Sequence, residues 1–126
     1  MSGLLFTEEH EWIAPGANSI ATVGISDYAQ EQLGELVFVE LPDVDFQCVR
    51  GGELAVIESV KAASDLFAPV SGVVETINEL IIDEPGTVNT DPLGDGWFVT
   101  IRMTDESELE GLMDEDAYRE FVEGLA

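Results

Sequence analysis

Short apolar runs bounded by glycine and proline fill residues 10 to 103, and this pattern confines the chain to a strand-built fold. The clear runs are EWIA, SIATVGI, ELVFVEL, ELAVIESV, GVVETI and WFVTIRM, with a further DLFAPV and a weak LII. β-branched and aromatic residues dominate them, and their lengths suit strands rather than helices. One short internal helix is predicted at SDYAQEQL, because the Ser26 hydroxyl can cap its start and Gly34 can end it. Beyond residue 104 the period changes. Asp105 with Glu108 has the form of an acidic capping box ahead of Leu109 and Leu112, and Asp114 can cap a second helix carrying Ala117, Phe121 and Leu125. Two short C-terminal helices are therefore expected to pack on the β body. With 126 residues the expectation is one domain over 1–126, its β body at about 4–103 and its helical segment at about 105–125.

The β body contains a faint internal echo. Gly34 to Leu41 (GELVFVEL), a loop and Gly51 to Ile57 (GGELAVI) are followed by Gly72 to Leu80 (GVVETINEL), a loop and Gly94 to Ile101 (GDGWFVTI). Two half-units that each run glycine, strand, loop, glycine, strand suggest two antiparallel sheets facing each other, a flattened barrel or sandwich. The segment joining the halves, Glu58 to Gly72, holds the only lysine of the chain, Lys61, where a hairpin turn is expected.

Composition makes that lysine conspicuous. Against 27 Asp and Glu stand Lys61, Arg50, Arg102 and Arg119, for a formal net charge of -23. Such a field repels nucleic acid and anionic membranes, and its self-repulsion predicts a chain from a salt-rich cytoplasm, as in a halophilic archaeon. A lysine kept only for a surface ion pair with Glu58 or Asp65 contributes about 0 to 1 kcal/mol, and arginine serves equally well there. Acylation to an amide is chemistry that a lysine amine offers and arginine does not, so covalent modification fits its retention better.

The segment AVIESVKAASDLFAPVSG (Ala55 to Gly72) resembles the lipoyl attachment region of glycine cleavage H-proteins, in which the lysine of an ESVKA motif at a hairpin tip carries lipoate in amide linkage. EEHEW near the start, Thr22 to Pro42, the VN-DP-G-GW pattern of Val88 to Trp97 and DESELEGLMDEDAY also resemble that family, so the similarity runs from Glu8 to Val122. Biotinyl domains place methionines around their lysine, whereas Val60 and Ala62 stand here. Lipoyl domains of the 2-oxoacid dehydrogenases are shorter and lack both the EHEW opening and the C-terminal helices.

The resemblance implies a mainly β hybrid barrel-sandwich of lipoyl/biotinyl type and a non-catalytic carrier with covalent lipoate on Lys61. In this role it shuttles an aminomethyl group from the glycine decarboxylase (P-protein) to the aminomethyltransferase (T-protein), then presents the reduced arm to the dihydrolipoyl dehydrogenase (L-protein); a lipoylating enzyme is a fourth partner. It also implies a cleft for the loaded arm, where Glu11 and Asp65 match the acids that face the amine. Glu9 stands where many relatives have serine, and Gln32 where some place a histidine on the cleft wall; His10 is a structural or cleft-edge residue. A protein that hands lipoate to other enzymes is the second reading, and an unmodified acidic interaction module the third.

Elsewhere the sequence offers little chemistry. His10 has no second histidine, cysteine or spaced carboxylate to make a metal site. Cys48, the only cysteine, excludes an intrachain disulfide and has no neighbouring cation to activate it. Trp12 and Trp97 are expected to pack in the core and at its rim. With no signal-like N-terminus and no apolar stretch of spanning length, a soluble cytoplasmic protein is expected.

Overall fold

The computed structural model describes residues 4–125. Among these, nine strands form two antiparallel sheets. One sheet has six strands: β1 (Leu5–Phe6), β2 (Glu11–Pro15), β3 (Ile20–Ile25), β9 (Val99–Met103), β8 (Gly72–Ile77) and β5 (Gln47–Cys48), in that spatial order. The other has three, with β6 (Glu53–Ser59) between β4 (Leu36–Glu40) and β7 (Ala63–Phe67). Their inner faces share one core in which Ile13, Val23, Val74, Val99 and Ile101 of the larger sheet pack with Val39, Ile57 and Leu66 of the smaller one, all at most 2% exposed. The internal echo is realised in this arrangement, because β4 pairs with β6 in one sheet while β8 pairs with β9 in the other.

The expected internal helix is α1 (Asp27–Leu33), capped as read: Ser26 Oγ accepts the Ala29 N–H at 3.1 Å, and Gly34 ends it at φ +80°. Two further short helices correct the expectation of a single one. α2 (Glu79–Asp83) and α3 (Gly86–Thr90) lie between β8 and β9, and α2 takes up the LII run, which is helix and not the weak strand its composition suggests. The reason is local. Asn78 caps its start by accepting the Leu80 N–H, and of the three apolar residues only Ile81 is buried, so a single inward side chain is all the run supplies. The two-residue strands β1 and β5 lacked enough sequence to show a period.

The C-terminal segment also departs from its reading. Residues Glu106–Gly111 form a 3₁₀ helix, in which Asp105 accepts from Ser107 N at 3.1 Å. Glu108 does not complete a capping box. Its carboxylate instead accepts the Ser71 N–H at 2.7 Å and the Ser71 hydroxyl at 3.0 Å, tying this turn to the β body. Helix α4 (Glu115–Glu123) is capped by Asp114 through Ala117 N at 2.8 Å, as expected, but its inward residue is Tyr118 while Ala117 and Leu125 are exposed. Tyr118 stacks on Phe6 with ring centroids 4.3 Å apart and joins Trp12 in a second, smaller core.

Candidate functional site

Lys61 lies in the turn between β6 and β7, exposed, as the strand spacing predicted. Neither of the central residues Val60 and Lys61 takes a positive φ, so the turn is not the Asn-Gly type that closes most two-residue hairpins. Ser59 closes it instead. Its Oγ receives the N–H groups of Lys61 at 3.2 Å and Ala62 at 3.1 Å, while the Ser59 N–H reaches Ala62 O at 2.8 Å. The Val60 N–H donates to Glu35 O at 3.0 Å and anchors the tip to the connection between α1 and β4. The lysine side chain runs over Gly34, with Cε 3.0 Å from where a Cβ would stand; the φ of +80° favours glycine there. Among the described residues the ion pairs are those of Arg102 with Glu75 and of Arg119 with Glu115 and Asp116; Lys61 pairs with neither Glu58 nor Asp65.

Beside this hairpin a cleft of about 480 Å³ opens between β7, α1 and the start of β2. Glu9, His10, Glu11, Gln32 and Asp65 all line it, so the structure brings together the five residues singled out around Lys61. Its remaining wall is largely apolar, formed by Ile25, Ala29, Leu33, Ile57, Leu66 and Phe67. The five are not alike. Glu9, Gln32 and Asp65 are exposed at the mouth, whereas Glu11 is only 3% exposed.

Glu11 is therefore not one more solvated acid. β7 is the edge strand of its sheet, and the Phe67 N–H has no further strand to pair with; it donates to Glu11 Oε2 at 2.9 Å. Glu11 Oε1 accepts the Thr7 hydroxyl at 3.0 Å. Burial pushes the carboxyl up from 4.5 to about 7, against these two hydrogen bonds, which favour the ionised form; the nearby Glu9 charge adds to the rise. The outcome is an acid near neutrality in its proton affinity, held at the end of an apolar cleft.

His10 is a positioning element at the cleft edge. It takes φ +70°, its Nδ1 lies 2.7 Å from the Tyr118 hydroxyl, and that hydroxyl lies 2.7 Å from Ser26 Oγ, the cap of α1. Burial lowers the imidazole pKa, with Glu9 acting in the opposite sense. The chain of contacts bolts α4 to the two elements that frame the cleft. Trp12 fills the second core, flat over Gly24 with Nε1 donating to Pro92 O at 2.9 Å, and Trp97 packs at its margin. Cys48 is buried and its thiol is pushed up by that burial, which keeps it unreactive.

Known proteins match the chain over almost its whole length. A family profile described as glycine cleavage H-protein matches residues 4–124. The chain belongs to that family. It is 54% identical over 122 residues to the glycine cleavage system H protein of Rhodospirillum rubrum, covering 97% of both chains, and 55% identical over 125 residues to that of Parvibaculum lavamentivorans, covering 99% of both. The crystal structure of a glycine cleavage system H protein from Mycobacterium marinum superposes with a TM-score of 0.86 at 37% identity, over 95% of this chain and 96% of that one. As an H-protein the chain is a lipoyl-bearing carrier component of the glycine cleavage system rather than a catalyst. The matched relatives are bacterial, and they give no support to the halophilic archaeal source that the acid excess suggested.

Among the residues that sequence reasoning missed, Ser59 and Tyr118 matter most. Ser59 stands inside the ESVKA motif, and a serine directly ahead of the two central residues of a turn is a signal for hydroxyl closure of the backbone. Tyr118 gave no such signal, because its partners His10 and Ser26 are about a hundred residues away in sequence.

Proposed function

We propose that this H-protein carries lipoate as an amide on Lys61 and that its cleft shelters the loaded end of that arm between visits to partner enzymes. The observation that carries the reading is the lysine itself: in a chain with 27 acids it is exposed at a hairpin tip, in no ion pair among the described residues, and it adjoins a largely apolar cleft that holds a buried carboxylate. The residues fit the group. Ile57, Leu66 and Leu33 suit an aliphatic arm, and β7, which leaves the Lys61 turn, leads directly along the cleft wall through Ser64 and Asp65. When attached, the lipoyl group supplies a dithiolane that takes up a one-carbon amine and can afterwards be reoxidised.

The chain's own residues do the rest. Glu11 accepts a hydrogen bond from a protonated amine at the inner end of the cleft, Asp65 adds negative charge at the mouth, and the apolar wall keeps water away. Glu9 and Gln32 border the entrance, and His10 holds the rim in place. The protein presents the arm in turn to a glycine decarboxylase, an aminomethyltransferase and a dihydrolipoyl dehydrogenase, after a lipoylating enzyme has built the amide. Tethering gives each of them its substrate at high local concentration. A cytoplasmic setting accords with the single, buried thiol.

The test is Lys61→Arg, which retains charge and removes the acylatable amine. An exposed turn residue contributes little to packing, so the variant keeps native circular dichroism, within about 0.5 kcal/mol in stability. It gains no lipoyl mass on incubation with a lipoylating enzyme and supports no glycine–bicarbonate exchange with the decarboxylase. Exchange by Lys61→Arg without free lipoate would remove the tethered-arm mechanism. Asp65→Asn should accept lipoate normally but, once loaded and timed without the aminomethyltransferase, release ammonia faster, and unchanged release would assign Asp65 to solvent alone.

A further inference from the structure

The surface around Lys61 is not purely polar. Val60 is 65% exposed, and Val37 and Phe38 on β4 are 52% and 45% exposed. The register of β4 on β6 explains the pair. Leu36 is matched to Ser59 and Phe38 to Glu58, so the pairing slips at Val37, and two successive apolar side chains turn to solvent where a regular strand would bury one. Because Leu36 lies opposite Ser59 and the Val60 N–H holds Glu35 O, this bulge sits alongside the lysine turn. Glu35, next to Leu36 in the chain, and Glu58, paired with Phe38, stand exposed beside it. The hairpin end thus has an apolar centre with an acidic border.

The chemistry at Lys61 selects among visitors. Enzymes that work on the far end of an acylated lysine stand off from the backbone by the length of the arm. The enzyme that makes the amide must bring its acyl donor to Nζ itself, only four methylenes from the chain. Its own surface has to meet whatever flanks the turn. We propose that Val37, Phe38 and Val60 form the landing surface of the enzyme that acylates Lys61, a partner whose active-site mouth is apolar at its centre and basic around it. This rests on the reading of Lys61 as the lipoylated residue. In the step concerned the lipoyl donor is an acyl adenylate: the bond from Nζ to the acyl carbon forms, the bond from that carbon to the phosphate oxygen breaks, AMP leaves, and the ammonium gives up two protons. No redox change occurs.

The test compares V37T/F38T, which keeps β-branched residues on the strand, with V44T/F46T, a pair 49% and 42% exposed on the connection beyond the opposite end of β4. Lipoylation by a lipoate ligase with ATP and lipoate is followed by intact mass over a range of chain concentrations. For V37T/F38T the KM for the chain should rise about tenfold or more with kcat unchanged, the signature of lost binding surface. The V44T/F46T chain should match the wild type. V37T/F38T driven to completion with excess ligase should then support glycine–bicarbonate exchange with the decarboxylase at the wild-type KM. An unchanged ligase KM, an equal loss in V44T/F46T, or an equal rise in KM for the decarboxylase would each overturn the assignment. A wild-type chain that gains no mass, or a Lys61→Arg chain that does, would instead strike the acylation reading on which it rests.

Discussion

Replacing Glu11 with glutamine should make the protein more stable, and increasingly so as the pH rises. Glu11 is 3% exposed and its carboxyl is raised from 4.5 to about 7, with burial as the main cause. Below pH 4.5 the group is protonated in both folded and unfolded chains and contributes no pH dependence. Between 4.5 and 7 the folded chain holds the proton that the unfolded chain has lost, so stability falls as the pH rises. Above 7 both states are ionised and the penalty is complete. The shift corresponds to about 3 kcal/mol at pH 8, from about 1.4 kcal/mol per pH unit. Glutamine is nearly isosteric. Its amide oxygen can keep the Phe67 N–H and its NH₂ can face Thr7 Oγ, so packing is retained. Urea unfolding of wild type and Glu11→Gln at pH 5 and pH 8, in equal high salt, isolates the group because every other acid is common to both chains. The stability difference should be small at pH 5 and favour the variant by up to about 3 kcal/mol at pH 8. A difference that does not change with pH would refute the account of Glu11 as a buried acid held against its solvation.

Tyr118→Phe keeps the stack on Phe6 but removes the hydroxyl shared by His10 Nδ1 and Ser26 Oγ, so urea unfolding should show a loss of about 1–3 kcal/mol, and no loss would mean that α4 is held by packing alone. The net charge of -23 should make the melting temperature climb steeply between 0.1 M and 1 M salt, where the screening length falls from about 10 Å to about 3 Å; a flat melting curve would show that the acids are too dispersed to repel one another.

The parts of this structure legible in the sequence are those whose determinants are local. Ser26 and Gly34 delimit α1 because a hydroxyl acceptor and a residue tolerant of positive φ act within one turn of helix. The longer strands, such as Glu11–Pro15 and Val99–Met103, are legible because alternation and β-branching act within five to seven residues. The LII run failed for the same reason in reverse: three apolar residues fit either period, and the choice lay with Asn78 and with the single core position that Ile81 fills. On α4 Phe121 packs inward as its spacing predicts, but the buried neighbour is Tyr118 rather than Ala117, because Tyr118 is drawn inward by His10 and Ser26, neither of which its own helix reveals.

The candidate site shows the same division more sharply. Lys61 was legible because its rarity is a property of the composition and its turn is a property of the flanking strands. Glu11 was legible only through resemblance. Nothing in EHEW distinguishes it from the two acids just before it, Glu8 and Glu9, both of which are exposed. What buries it is the open edge of β7, fifty-six residues away, whose Phe67 N–H needs an acceptor once the three-stranded sheet ends there. A neutral acceptor could meet that need at less cost than a carboxylate, since burial of the charge has to be offset by only two hydrogen bonds. Keeping an acid at that position therefore sacrifices stability near neutral pH, and the proposed function accounts for the loss, since it places the counter-charge on a carried amine. Under the function proposed for this cleft, the amine of the loaded arm supplies Glu11 with an interaction that an unloaded arm cannot, so the cleft favours the loaded arm.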